Sequence, residues 1–493
     1  MKRVSAFILA VFLTILSFTD VCRAKADMPY STYSYNSWGE SVYQPQTYLY
    51  TGSFTSENFG SKLNYPQDMF ITDNFIYIAD TGNSRILKLS TDGQLLSEIT
   101  FAKNEESLLS KPQGIFVDED GCLYVADTGN SRIVKYDKNG AYESEIGRPV
   151  TDLIDDSQIY SPTKVVVDTA GRIYVIAYGI NMGLLEFNTE GEFKGFMGAT
   201  EVSVSMFEYI WKNYFSTAEQ KKRMQTIVPT EYSNIFLDSK NFIYATINNL
   251  DEEAHMSGAD AIRRLNPTGT DVLRRLGNYT ITGDLYQSKD GAEWSSFTDV
   301  CATEYGCYYI LDAAYGKVFV YDYDGNSLFI FGDSGNRDGN VQKPSAIGMS
   351  SDCEWVYILD SQLGTILKFE ITDYGRHFLG AMEKNNKGDA KGAYEEWQKV
   401  LEMNSNCELA YMGIGKTYLK QSRYKEAMDY FKLGNSKKYY STAFSYYRRE
   451  VMQKYFPKAM LVAGILIAVV LVLIGVKKFR RWVGEVRCSM ENR

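Results

Sequence analysis

Histidine is nearly missing: the 493 residues include only His255 and His377, which all but excludes a His-based metal centre or catalytic triad. Cysteine occurs seven times without one Cys-x-x-Cys pair, so no zinc spacing is present. Proline is scarce at 10 copies and glycine ordinary at 39, with 45% apolar and 23% charged residues, which excludes a disordered or fibrous chain. The length allows about three domains. What is abundant instead is tyrosine, 38 copies, and that excess needs a structural cause.

The two ends carry membrane signals. Met1-Lys2-Arg3, an apolar run from Val4 to Phe18 and then Ala24-Lys25-Ala26 follow the order of a secretory signal peptide, predicted over residues 1–26. Thr19-Asp20-Val21 before Cys22 lacks the small residues of a lipoprotein signal. Near the other end, Ala459 to Val476 has no charge, and at about 1.5 Å per residue it is long enough for a hydrocarbon core. Tyr455 and Phe456 precede this run, and Lys477, Lys478, Arg480, Arg481 and Trp482 follow it. Such flanks predict a transmembrane helix over 457–476, a basic cytoplasmic tail over 477–493 and an extracytoplasmic body in a single-pass cell-membrane protein.

The net charge of −9 averages unlike parts: +3 on residues 1–26, +4 on 477–493 and −16 on the rest. A body that acidic does not suit nucleic acid, which binds through Lys and Arg on phosphates. Proteins, glycans or cations are the partners it allows. The body keeps Cys122, Cys301, Cys307, Cys353 and Cys407. Pairing 299–303 with 306–310 would put Cys301 and Cys307 on opposite faces of a hairpin, so these thiols read as core residues, not a disulfide framework.

Self-similarity sets the fold class. Pro66-Gln67-Asp68 followed by Ile76-Tyr77-Ile78-Ala79-Asp80-Thr81-Gly82-Asn83-Ser84-Arg85-Ile86 recurs 47 residues later, as Pro112-Gln113-Gly114 and Leu123 to Ile133. Weaker copies start at Pro162, Pro229, Phe297 and Pro344. Each holds four short alternating runs, with Gly in hairpin turns such as 118–121 and 137–140. Six four-stranded copies predict a six-bladed, all-β propeller over 46–375. The last copy lacks a fourth strand, whereas Tyr48-Leu49-Tyr50 has strand composition, so the N-terminal strand is expected to close the ring. Asp80 and Asp127 are read as turn caps facing Arg85 and Arg132, not as a cation-binding ring.

The segment Tyr124-Val125-Ala126-Asp127-Thr128-Gly129-Asn130 through Arg132-Ile133 resembles the signature of NHL repeats. The resemblance spans about residues 45–375, and repeats three and four depart from it with Ala177 and Ile247 where Asp80 and Asp127 stand. Six-bladed relatives of this fold include binding scaffolds, amidating lyases with metal-bound histidines, and lactonases whose divalent metal sits on Glu, Asn and Asp in the channel. The histidine count argues against the lyase chemistry; an oxygen-ligated metal in the channel stays open. No motif assigns a catalytic, binding or cofactor-binding residue, and none supports a cofactor.

After residue 376 the period changes. Gly388, Ala393, Trp397 and Leu401 are matched 34 residues on by Ser422, Ala427, Phe431 and Asn435, and Ala410, Gly415, Tyr418 and Tyr424 complete the second copy. This spacing resembles tetratricopeptide repeats and predicts an all-α unit over 376–456, with a helix from about Ser441 to Tyr455 on its open face. That resemblance implies protein or peptide binding, set against a plain stalk joining propeller to membrane. Residues 203–225 read as an inserted helix, either lid, partner-binding element or packing on the scaffold, and 251–255 as a solvated acidic turn. Tyr77, Tyr124, Tyr174, Tyr244, Tyr309 and Tyr357 share one strand position, which predicts packing between blades, and the aromatic residues of 27–50, most of them in the N-terminal segment 27–45, are expected to wrap the propeller side, with stacking on glycan rings as the alternative. The function expected is a membrane-anchored binding scaffold with a protein partner in the same membrane, or a glycan. The alternative is a lactonase-like hydrolase or lyase.

Overall fold

The computed structural model describes residues 28–103, 105–155, 157–198, 232–248, 260–286 and 294–491. The expected signal peptide, the inserted helix at 203–225 and the acidic turn at 251–255 lie outside these residues.

Six antiparallel sheets follow one another as a six-bladed β-propeller. In the first blade, Asp68–Ile71, Phe75–Asp80, Arg85–Ser90 and Leu95–Ile99 pair in sequence order. The second strand is buried along almost its whole length because it is covered on both faces, and its run of apolar residues reflects that. Burial falls outward until Leu95–Ile99 is mostly exposed. The predicted hairpin turns hold Gly121 and Gly140, each at φ 84°, a left-handed conformation that costs glycine little.

Tyr48–Phe54 pairs antiparallel with Thr365–Ile371 and completes the sixth blade. The two ends of the propeller sequence are thereby joined in one sheet, which removes an exposed edge. Tyr48 is fully buried, its ring stacks on Phe331 at 5.1 Å, and its hydroxyl donates to the Cys353 carbonyl at 3.0 Å. Just before it, Tyr33–Tyr35 and Ser41–Tyr43 extend the fifth blade to six strands. Tyr33 and Tyr35 both bond Asp284, which also pairs with Lys317 at 2.6 Å. The aromatic segment therefore wraps the propeller side through hydroxyl groups fixed on one half-buried carboxylate.

The six equivalent tyrosines are all at most 6% exposed. Tyr244 packs on Tyr308 of the next blade at 5.5 Å, and Tyr309 on Tyr48 of the next at 6.2 Å. Tyr77 lies in a core with Ile115 and Val125 of the second blade, and Tyr124 in one with Val165 and Val175 of the third. One repeated side chain thus welds neighbouring blades.

Two expectations change. The fourth blade has three strands among the described residues, Asn234–Leu237, Ile243–Thr246 and Ile262–Leu265, and irregular chain carrying Leu273 and Ile281 fills its core edge. Its first strand starts three residues beyond the point set by Pro229. The fifth blade pairs Cys301 with Tyr309, one residue from the expected register, so period-two alternation puts Cys301 and Cys307 on the same face. Both are free, buried thiols, raised well above the usual range by burial.

The helix Asp373–Asn386 follows the last strand and belongs to the propeller unit, which ends at Lys387. Thr372 caps it, and Phe378 packs on Phe329 at 5.7 Å. The second unit holds helices Ala390–Met403, Glu408–Lys420, Tyr424–Leu433 and Lys437–Glu491. Small residues meet aromatic rings there: a Cβ on Gly413 would strike Trp397, and one on Gly415 would strike Phe431. Asn435, which breaks the 34-residue match, is a left-handed turn residue at φ 50°, a conformation Asn tolerates. The last helix packs its start on its neighbour through Tyr439 on Phe431 and Tyr446 on Tyr424, each at 5.5 Å. It runs on through Pro457 and is long and apolar enough to cross a membrane.

Candidate functional site: an axial polar cavity

Asp80 and Asp127 are structural. Asp80 accepts from Arg85 at 2.7 Å, from Asn83 and from the Asn64 backbone N–H at 2.8 Å; Asp127 repeats this with Arg132, Asn130 and the Ser110 N–H. The expected capping of their own turns' backbone N–H groups does not occur: each holds its turn through the Asn side-chain amide and fastens by its N–H the chain arriving from the previous blade. Asp312 and Asp360 do both, binding Ser296 N and Gln342 N as well as Ala314 N and Gln362 N.

The axis is lined by the first strand of each blade, where the register aligns Asp68, Gly114, Lys164, Asn234, Asp299 and Ala346. All six are buried. A β-bulge precedes this ring in the third, fifth and sixth blades. In the first, second and fourth, Gln67, Gln113 and Ser233 donate to the carbonyl of the residue already paired with the next position. Two residues oppose one in every blade, which re-aims side chains at the axis. Gly114 is needed there, because a Cβ would meet the Thr163 carbonyl oxygen.

The ring forms a network. Asp68 pairs with Lys164 Nζ at 2.8 Å and accepts from Ile115 N at 2.9 Å. Asp299 accepts from Ile347 N and Val300 N, both at 2.7 Å, and from the Asn234 amide at 2.5 Å. These bonds tie blade one to two and three, four to five, and five to six. Burial pushes the Asp299 carboxyl up to about 7; Lys164 opposes this rise and Asp68 adds to it.

Above the ring lies a cavity of about 340 Å³, into which Gln67, Gln113, Thr163, Ser233, Thr298 and Ser345 project from the bulges. Blades three and four supply most of the remaining wall through Lys164, Ile176, Ala177, Tyr178, Ile180, Asn181, Asn234 and Asn248. Among the described residues two lysines and no carboxylate face it, Lys164 on the floor and Lys343 on the rim. A larger cavity of about 620 Å³, lined mostly by blades two and three, holds Asp118, Asp168 and Asp238. Those carboxylates cap their own turns through Cys122 N, Ala170 N and Lys240 N.

Asp68, Asn234 and Asp299 are the oxygen-bearing residues of the ring, and they do not fit a divalent metal. The Lys164 ammonium already stands on Asp68, and the Asp299 oxygens are taken by two backbone N–H groups and an amide. An ion there would face a fixed positive charge and compete with bonds that hold blades together. Among the described residues no group of three or more His, Cys, Asp or Glu is disposed to hold a metal. The sequence missed this ring, although Pro66-Gln67-Asp68 and its copies mark it: the position two after each Pro, Tyr232 and Phe297 included, is the axial one.

A family model described as the SMP-30/gluconolactonase/LRE-like region matches residues 71–154. No curated protein sequence matches the chain. Among solved structures, a streptogramin B lyase aligns over 66% of this chain and 100% of its own at 13% identity, TM-score 0.42. A catalytically inactive virginiamycin B lyase from Staphylococcus aureus with quinupristin covers 66% and 98% at 13% identity, TM-score 0.40. A Bacteroides thetaiotaomicron protein of unknown function covers 70% and 76% at 13% identity, TM-score 0.41.

Proposed function

We propose that the chain is a membrane-anchored, extracytoplasmic binding scaffold. Its propeller takes a protein or glycan ligand in the axial cavity, and the helices after residue 388, which resemble tetratricopeptide repeats, engage a protein partner in the same membrane. The observation that carries this reading is the axial ring. Its carboxylates are spent on Lys164, Asn234 and backbone N–H groups, while amides and hydroxyls face the cavity. Small residues set against Trp397 and Phe431 support the tetratricopeptide-like reading, and the apolar helix followed by Lys477, Lys478, Arg480 and Arg481 supports the anchor.

Site-specific crosslinking from the concave side of helices Ala390–Met403 and Glu408–Lys420 in cells tests the partner role. A defined adduct with one protein of the same membrane is the expected result, and none sinks the role. The lactonase-like alternative makes the opposite demand of the axis: stoichiometric Ca²⁺, Mg²⁺ or Zn²⁺ on the purified chain, lost in Asp68→Asn or Asp299→Asn, would establish it over the scaffold reading.

A further inference from the structure

We infer that the axial cavity captures the free carboxyl terminus of a peptide, with Lys164 as the carboxylate anchor. This rests on the binding reading above and specifies its ligand.

Three features of the cavity each meet one feature of such a terminus. The first is the buried ammonium. Lys164 is 9% exposed and spends one of its three ammonium N–H donors on the ion pair with Asp68 at 2.8 Å; among the described residues no second acceptor meets the others. Buried donors seldom stay unmatched, and a carboxylate is the acceptor that suits an ammonium best. Among the described residues the wall carries Lys164 and Lys343 and no acidic side chain, with Asp68 and Asp299 in the ring beneath it, so the wall has the opposite balance to a chain with 61 Asp and Glu against 52 Lys and Arg.

The second feature is the set of hydroxyls. Thr163, Ser233, Ser345 and Ser361 donate to the carbonyls of Ile176, Thr246, Pro66 and Lys343. Their protons are spent inward, so toward the cavity they offer lone pairs, which accept from a ligand N–H. The third is an apolar wall of Ile176, Ala177 and Ile180 on blade three, suited to the last side chain. A hexuronate would use the lysine and the hydroxyls and leave that wall bare. The volume, about 340 Å³, is near the small end of ligand sites and fits a terminus rather than a folded surface.

Calorimetric titration of the full chain in detergent with N-acetyl-Ala-Leu, its C-terminal amide and galacturonate tests the inference. The acid should bind at least about tenfold more tightly than the amide, the scale of a hydrogen-bonded charge. Lys343→Gln, on the exposed rim, should weaken the acid a few-fold. Lys164→Met alone leaves Asp68 unpaired, so the double variant Lys164→Met/Asp68→Asn is the decisive one, and it should bind acid and amide alike. Equal binding of acid and amide by the native chain overturns the anchor. Binding of galacturonate in place of the acid overturns the peptide, and silence toward all three overturns the site. If the chain still gives ligand adducts from the propeller face in cells, the binding reading survives that failure; if it gives none, both fall.

Discussion

Blades one and two keep the repeat, and blades three and four break it. In the first pair, Asp80 and Asp127 clamp the incoming chain and the Thr-Gly-Asn turn in near-identical geometry. In the second pair Ala177 and Ile247 stand at that position, and charge pairing moves to the other end of the blades as Asp168–Arg172 and Asp238–Arg264. Among the described residues the regular blades give the axial cavity Gln67 and Gln113 alone, while the irregular ones give most of its wall. The clamps thus lie where the pattern holds and most of the cavity wall where it lapses, the arrangement expected if local rules yield at a functional site.

The largest effect should follow from breaking the clamp. Asp80→Ala leaves Arg85, whose side chain is 10% exposed, without its main partner and should cost about 3–5 kcal/mol in chemical denaturation. Ala177→Asp should not recover stability, because no arginine awaits it; a gain there would erase the contrast between the blade pairs. Tyr48→Phe, at the closing strand, should cost about 1–2 kcal/mol through the lost bonds to Tyr309 and Cys353.

Asp299 gives a pH test of the axis. Its carboxyl is raised from 3.8 to about 7 in the folded chain, so between those values the folded state holds a proton that the unfolded state has released. Stability should therefore fall as pH rises from about 4 to about 7 and level off above. Asp299→Asn should flatten that part of the profile; an unchanged slope would refute the buried network. The smallest effect belongs to Glu98→Gln, which removes a partly exposed partner of Arg85 at 3.4 Å and should change stability by less than about 1 kcal/mol.

The regular half was legible in the sequence because its constraints are local. Asp80, Thr81, Gly82, Asn83 and Arg85 lie within one turn of one another, and the Tyr77 series repeats with the blade. The closing strand was legible by arithmetic, since the last copy lacked a strand that Tyr48 to Tyr50 could supply. The axial ring was not, because Asp68, Lys164, Asn234 and Asp299 are far apart in the chain, differ in type, and meet only through ring closure. The cysteine faces were misjudged for a smaller reason: a one-residue slip in register moves every side chain of a strand to the other face.

The central claim is that ligand meets the propeller at the wall built by the irregular blades. A photoreactive residue in place of Tyr178, a 64% exposed rim residue of blade three, can be compared with one at Lys62, exposed in the clamped loop before blade one. The full chain expressed in cells should give a discrete ligand adduct from position 178 and none from position 62. Equal adducts from both, or an adduct from position 62 alone, would contradict the account.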